Sequence, residues 1–268
     1  MLSKPHSALI IAGHGSTVNP DSSAPTFAHA DEIKRRGVFG EVTCAFWKEE
    51  PSLRQVLFCV ESEDVYVVPN FISEGYFTQR VIPRELNVTG KVTFHGARRI
   101  KYCEPVGNHA RMTDLLLHRA AEVAPGISPR ETSLLIIGHG TSLNENSGAA
   151  VKEQVRRIVA RGEYAEVFGV FMEEEPFVTH WRKIATQPHV VAVPFFVSDG
   201  LHSYQDIPVL LGLEAAPTQA ASRMDVFRRN PYHVEGREIF YASAIGTEPL
   251  FADVILDQVA AFDEKHGA

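Results

Sequence analysis

The chain has 268 residues and a formal net charge of −7 at pH 7, with 44% hydrophobic and 22% charged residues. This composition is typical of a globular protein with a sizeable core, and the acidic balance without a basic stripe disfavours nucleic acid as a partner. Because no apolar run approaches the about 20 residues that span a bilayer, and no signal-type segment opens the sequence, we expect a cytoplasmic protein without a membrane partner.

An internal repeat predicts the domain organisation. Residues 9–16 (LIIAGHGS) return as residues 134–141 (LLIIGHGT), and residues 68–71 (VPNF) return as residues 193–196 (VPFF), both at a shift of 125. Self-similarity at a fixed shift indicates two copies of one structural unit.

The repeat divides the chain into two predicted lobes, at residues 1–125 and 126–268. Late in each copy the shift grows to 139, because Tyr102 corresponds to Tyr241, so copy two carries 14 additional residues between about 212 and 236. Length variation of this kind is typical of loops, and we expect a surface loop here.

Each copy alternates short apolar runs with longer amphipathic stretches. The short runs are continuous and rich in β-branched residues, as in parallel strands that are buried on both faces. They cover residues 8–12, 42–47, 65–68 and 100–103 in copy one and residues 134–137, 167–171, 190–193 and 239–242 in copy two. Helical spacing predicts helices over residues 24–36, 51–59 and 110–123. The predicted fold class is α/β: two similar lobes, each a small parallel sheet flanked by helices, with a cleft between them.

Two histidines of copy two follow predicted strands, at the edge where open parallel sheets bind ligands. His139 comes directly after a strand, between two glycines that permit a tight turn, and His202 lies eight residues past Pro194. Neutral imidazoles bind divalent first-row metals and accept protons near neutral pH. We therefore predict that His139 and His202 are metal ligands and catalytic residues.

Copy one has lost half of this pair. At the shift of 125, His14 corresponds to His139, but Phe77 corresponds to His202. One complete histidine pair predicts one working site, in copy two.

Three glutamates of copy two, Glu173, Glu174 and Glu175, follow the strand predicted over residues 167–171 and reach the same sheet edge as these histidines. Glu175 precedes Pro176, which is predicted to begin a helix, so its carboxylate is either catalytic or a helix-start charge worth about 0.3–1 kcal/mol. Asp206, two residues before Pro208, is predicted to be a helix N-cap.

The motifs of copy two resemble those of the class II chelatases of the sirohydrochlorin cobaltochelatase and ferrochelatase type. The resemblance rests on Gly138-His139-Gly140, on the VPFF strand, and on Gly200-Leu201-His202 with the Asp-Ile-Pro that follows, and it covers both halves of the chain. It implies insertion of Fe²⁺ or Co²⁺ into sirohydrochlorin, for sirohaem or cobalamin, with His139 and His202 binding the metal and removing pyrrole protons. It also implies a monomer with internal pseudo-twofold symmetry.

The substrate that this resemblance implies carries eight carboxylates, which an acidic protein must meet with local positive charge. In copy one, Arg80 and Arg84 flank the degenerate motif and are, with His14 and Phe77, candidate substrate-binding residues. The basic residues between Arg98 and Lys101 are interpreted as a solvated edge. The metal ion is expected to be a substrate, and no tightly bound cofactor is expected.

Two alternatives remain open at this point. A tetrapyrrole or metal carrier without catalytic activity would use the same residues. A histidine-dependent phosphatase is less favoured, because glycines rather than an arginine flank His14 and His139. The insertion, which includes Arg223, is either a lid over the ligand or a neutral loop.

Overall fold

The computed structural model describes residues 2–140, 145–217 and 224–267. The chain divides into two compact units: unit 1 contains Met1–His109 and Pro249–Ala268, and unit 2 contains Ala110–Glu248. The α-helices of the described residues are α1 (Ala24–Arg36), α2 (Ile82–Glu85), α3 (Met112–Val123), α4 (Glu145–Arg161), α5 (Trp181–Ile184), α6 (Ile207–Leu211) and α7 (Phe251–His266).

Unit 1 is built on a five-stranded sheet. Its strands are β1 (Lys4–Gly13), β2 (Phe39–Phe46), β3 (Asp64–Pro69), β4 (Val92–His95) and β5 (Arg98–Tyr102), in the order β2-β1-β3-β5-β4. All pairs are parallel except β4 with β5. The central strand β1 is apolar and fully buried over residues 8–12, as a strand covered on both faces requires.

Unit 2 repeats this sheet. Its strands are β6 (Thr132–Gly138), β7 (Glu166–Phe171), β8 (His189–Pro194), β9 (Tyr232–Val234) and β10 (Arg237–Tyr241), in the order β7-β6-β8-β10-β9. Again only the edge pair β9–β10 is antiparallel. The prediction of two similar α/β lobes with parallel sheets is confirmed, and the short edge strands β4 and β9 were not predicted.

Two predicted helix starts are wrong. The stretch over residues 51–59 forms only a 3₁₀ turn at Val56–Phe58, and Pro176 begins no helix, since helical structure starts at Val178. The backbone after β2 and β7 instead folds back onto the strand end. The amide of Phe46 donates to the Pro51 carbonyl at 2.8 Å, and the amide of Phe171 donates to the Pro176 carbonyl at 2.9 Å.

The two sequence copies exchange their last helices. Helix α3, which ends copy one, packs in unit 2, where the Thr113 hydroxyl donates to Gln154 Oε1 of α4 at 2.7 Å. Helix α7, which ends copy two, packs in unit 1, where Tyr66 donates to Asp263 Oδ1 at 2.7 Å. The boundary between the compact units therefore differs from the repeat boundary near residue 125.

The insertion of copy two is more than a surface loop. Arg223 lies outside the described residues, but Met224–Phe227 form a 3₁₀ turn with Val226 fully buried. The ring of Phe227 lies 5.3 Å from that of Tyr241, between centroids, and packs on the core of unit 2. Among the described helices, none combines the length and apolar character that crossing a membrane requires.

Candidate active site

The loop after β6 presents His139 at the carboxyl end of the sheet of unit 2. Gly140 adopts φ 72°, a left-handed conformation that favours glycine, and a Cβ there would lie 2.7 Å from Glu174 Cγ. The His139 carbonyl accepts the amides of Met172 and Glu173 at 3.1 and 3.0 Å. The loop is therefore tied to the segment that follows β7, and the position of His139 is fixed by backbone contacts.

His202 begins a π-helical turn, His202–Asp206, between β8 and α6. Such turns are rare in proteins and are often found at functional sites. The rings of His139 and His202 lie 5.0 Å apart, between centroids, at an interplanar angle of 77°. The structure thus brings together the two histidines that the sequence predicted as partners.

Hydrogen bonds determine which nitrogen of each imidazole carries the proton. His139 Nδ1 lies 2.8 Å from the Gly140 carbonyl oxygen, and His202 Nδ1 lies 2.6 Å from Asp206 Oδ2. A carbonyl or carboxylate oxygen can only accept, so both Nδ1 atoms donate, and in the neutral imidazole with this tautomer Nε2 is the ligand atom. The His139 side chain is 39% exposed and that of His202 is 48% exposed, which leaves both accessible to an incoming ion.

The carboxylate beside His139 belongs to Glu173. Its Oε2 lies 3.7 Å from His139 Nδ1. Glu175 is directed elsewhere, with Oε2 3.0 Å from His180 Nδ1. The prediction of Glu175 rested on its place after the strand at residues 167–171, and only its alternative as a helix-start charge rested on a helix at Pro176, which the structure does not have. Glu173 also follows this strand in the sequence, and the repeat distinguishes it, because copy one carries Lys48 at the corresponding position.

The prediction that Asp206 caps helix α6 is wrong. Its carboxylate binds His202 instead of the first turn of that helix. The spacing of four residues places both side chains on the same side of one helical turn. A second signal was present in the repeat, since copy one carries Val81 at this position and has lost the histidine as well.

The equivalent place in unit 1 keeps the geometry without the second imidazole. Phe77 begins the π-helical turn Phe77–Val81, and its ring lies 4.8 Å from that of His14 at 74°. His14 Nδ1 again lies 2.8 Å from the next carbonyl oxygen, that of Gly15. Trp47 packs against both rings, at centroid distances of 5.4 Å from His14 and 5.2 Å from Phe77. A cluster of aromatic rings thus replaces the histidine pair.

The basic residues predicted near this cluster differ in their partners. Arg80 is exposed, and its guanidinium forms no hydrogen bond or ion pair within the described part of the chain. Arg84 Nε donates to Glu85 Oε1 at 3.0 Å, and Arg54 binds the same carboxylate. The hydrogen bonds from Arg54 and Arg84 lower the pKa of Glu85. Arg80 is therefore the freer of the two predicted substrate-binding arginines.

The stretch from Arg98 to Lys101 is structural and is not the solvated edge that was predicted. Arg98 donates to the carbonyls of Leu57 and Val60, both at 2.6 Å. Lys101 is 1% exposed and donates to Asp64 Oδ2 at 3.1 Å. These bonds hold both side chains against neighbouring residues of unit 1.

A duplicated α/β protein whose second copy presents paired imidazoles at its strand ends has the fold and the donor set of a metal-inserting enzyme. The chain belongs to the CbiX family, whose model matches residues 8–123 and again residues 133–261. The two matches correspond to the two copies of the repeat.

Similar proteins with a known name or structure agree with this family assignment. A protein from Halobacterium salinarum named probable sirohydrochlorin cobaltochelatase is 43% identical over 94% of this chain and 90% of its own length. A multi-domain protein from Deinococcus radiodurans, described as structurally similar to chelatases, matches with a TM-score of 0.79 at 29% identity over 95% of this chain. This chain spans 54% of that protein's length.

A solved sirohydrochlorin chelatase shares the fold of the whole chain. The enzyme SirB from Bacillus subtilis subspecies spizizenii, in complex with cobalt, matches with a TM-score of 0.69 over 97% of each chain. The identity is 17%, so this likeness shows the fold.

Proposed function

We propose that this protein is a sirohydrochlorin chelatase, a metal-chelating lyase that inserts Fe²⁺ or Co²⁺ into sirohydrochlorin for sirohaem or cobalamin synthesis. One observation carries the proposal: the rings of His139 and His202 lie 5.0 Å apart, between centroids, and Nδ1 of each ring contacts an acceptor oxygen, which directs metal binding to Nε2. The membership in the CbiX family and the 43% identical relative named as a cobaltochelatase support it.

The chemistry of metallation fits these residues. A divalent ion must exchange its water ligands for four ring nitrogens while the ring loses two N–H protons, so the step consumes M²⁺ and releases two H⁺. Imidazole nitrogen is a suitable ligand for Fe²⁺ and Co²⁺ and a suitable proton acceptor near neutral pH. We assign both tasks to His139 and His202. Glu173, rather than Glu175, is the carboxylate that offsets the charge of the ion.

Substrate binding is assigned to unit 1 as well. We propose that His14 and Phe77 contact the conjugated ring and that Arg80, with Arg84, binds its carboxylates. The exposed face of Trp47, which is 38% exposed, extends this aromatic surface. The fused pair of copies acts as a monomer, with the metal ion as substrate and no tightly bound cofactor.

Anaerobic mixing of the protein with sirohydrochlorin and Co²⁺ or Fe²⁺, followed by absorbance, tests this function. We expect metallation well above the spontaneous rate, and His202→Ala should remove most of the excess. Glu238→Gln is a matched control, because it alters another histidine–carboxylate pair, with His189 at 3.0 Å, at the opposite end of the sheet. Binding of sirohydrochlorin without acceleration would instead identify a carrier.

A further inference from the structure

The π-helical turn of unit 2 holds His202 and Asp206 in one unit. Ser203 and Tyr204, between them in the turn, are 0% and 1% exposed, and Tyr241 donates to the Ser203 carbonyl at 2.8 Å. The two ends of the turn carry exposed side chains, and these side chains bind each other at 2.6 Å. The buried middle of the turn thus fixes the relative placement of the imidazole and the carboxylate.

We infer that Asp206 is a positioning residue of the active site: its carboxylate holds His202 in the tautomer and ring orientation that present Nε2 to the metal ion. The role of Asp206 in metallation rests on the proposed function, whereas the orientation of His202 rests on the contact between the two side chains. A neutral imidazole without a partner exchanges its proton between both nitrogens. Only the form with the proton on Nδ1 offers Nε2 as a ligand.

A surface ion pair is by itself weak evidence of function, since such pairs contribute about 0–1 kcal/mol to stability. The pair at Asp206 differs because its histidine faces a second imidazole. His139 receives the same orientation from a backbone carbonyl, at 2.8 Å, so both rings are held through Nδ1. In copy one the histidine and the carboxylate are both absent, replaced by Phe77 and Val81.

Partners of this kind typically change metal affinity or activity by about 10- to 100-fold when removed. The test compares Asp206→Val, which introduces the residue of copy one, with Asp206→Asn, which keeps an acceptor oxygen. Glu238→Gln is the control. Three measurements are made on the full chain: Co²⁺ affinity by absorbance titration, the tautomer of His202 by ¹⁵N NMR, and kcat and KM for metallation of sirohydrochlorin.

We expect Asp206→Val to weaken Co²⁺ binding by about 10-fold or more and to lower kcat while KM for the tetrapyrrole stays within about twofold, since the ring contacts are unaffected. The ¹⁵N spectrum should change from the Nδ1–H form to a mixture. Asp206→Asn should keep the Nδ1–H form and lose much less affinity. Glu238→Gln should change neither the Co²⁺ affinity nor the ¹⁵N spectrum of His202.

Unchanged Co²⁺ affinity and an unchanged His202 spectrum in Asp206→Val would overturn the inference. Equal losses of Co²⁺ affinity in both variants, with the Nδ1–H form retained in Asp206→Asn, would also overturn the inference. The loss of affinity would then come from the removed carboxylate charge and not from a change in the orientation of His202. Failure of the wild-type protein to accelerate metallation would contradict the proposed function instead, and the Co²⁺ titration with the ¹⁵N spectrum would still decide the role of Asp206.

Discussion

The loops at the carboxyl ends of the two sheets have nearly the same geometry and different chemistry. In unit 2 two imidazoles meet at 5.0 Å and 77°, and in unit 1 an imidazole and a phenyl ring meet at 4.8 Å and 74°. In both units Nδ1 of the first histidine lies 2.8 Å from the next carbonyl oxygen. The scaffold therefore places a ring at this position in both units, and we propose that the second imidazole makes the position in unit 2 a metal site.

Two further substitutions extend this contrast. Lys48 occupies in unit 1 the position of Glu173, and its ammonium lies 4.4 Å above the ring of Trp47. Val81 occupies the position of Asp206 and is 1% exposed. A cation and two apolar side chains thus replace two carboxylates and an imidazole, which removes the charge that a divalent ion needs.

Converting unit 2 to the chemistry of unit 1 should have the largest effect. His202→Phe keeps a ring in the same place but removes a ligand and a proton acceptor, so we expect kcat for metallation to fall by about 10²- to 10⁴-fold. The measurement is the anaerobic absorbance assay at saturating sirohydrochlorin. A rate close to that of the wild-type protein would show that the histidine pair is not the catalytic group.

The opposite conversion should create a second ion site. In Phe77→His with Lys48→Glu, an imidazole faces His14 and a carboxylate replaces the ammonium, so we expect Co²⁺ titration to change from one bound ion per chain to two. Affinity at the new site should be lower, by about 10-fold or more, because no residue equivalent to Asp206 orients the new imidazole. A stoichiometry that stays at one would mean that the backbone of unit 1 cannot support a metal site.

The exchanged helices allow the two units to be perturbed separately. Leu116 of α3 and Ile255 of α7 are equivalent in the repeat and fully buried, so each mutation to Ala should lower the free energy of unfolding of its unit by about 2–5 kcal/mol. Only Leu116→Ala should also weaken Co²⁺ binding, since α3 packs against β8, the strand that leads to His202. Equal effects of both variants on Co²⁺ affinity would contradict the assignment of the site to unit 2.

The aromatic surface of unit 1 should contribute the smallest effect. Trp47→Ala should raise KM for sirohydrochlorin by about 2- to 10-fold and leave kcat nearly unchanged, because an aromatic contact is worth about 0.5–1.5 kcal/mol. Phe58→Ala is the matched control, since Phe58 is an exposed aromatic residue outside the ring cluster, at 89% exposure. Equal KM values for the two variants would contradict a contribution of Trp47 to substrate binding.

The elements that the sequence predicted correctly are those with strong local patterns. The apolar runs around β1 and β6 predicted buried parallel strands. Because strand ends in a parallel sheet meet at one edge, the sequence also predicted that His139 and His202 lie close together. The repeat predicted that Phe77 would take the place of His202, and the two ring geometries agree.

The remaining features depend on contacts that no local pattern contains. Glu173 rather than Glu175 lies beside His139 because β7 ends in a fold-back, and Asp206 reaches His202 because a π-helical turn replaces an ordinary helix start. The exchange of α3 and α7 was not predictable either, since a repeat boundary does not say which sheet a helix covers. The edge strands β4 and β9 are too short and too exposed for a clear alternation.

The most direct test of the central claim, that unit 2 performs the chemistry, is a comparison of kcat for His139→Ala and His14→Ala in anaerobic metallation of sirohydrochlorin with Co²⁺. We expect His139→Ala to lower kcat by about 10²-fold or more, and His14→Ala to raise KM with a much smaller change in kcat. Equal losses of kcat in the two variants, or a larger loss in His14→Ala, would contradict the account.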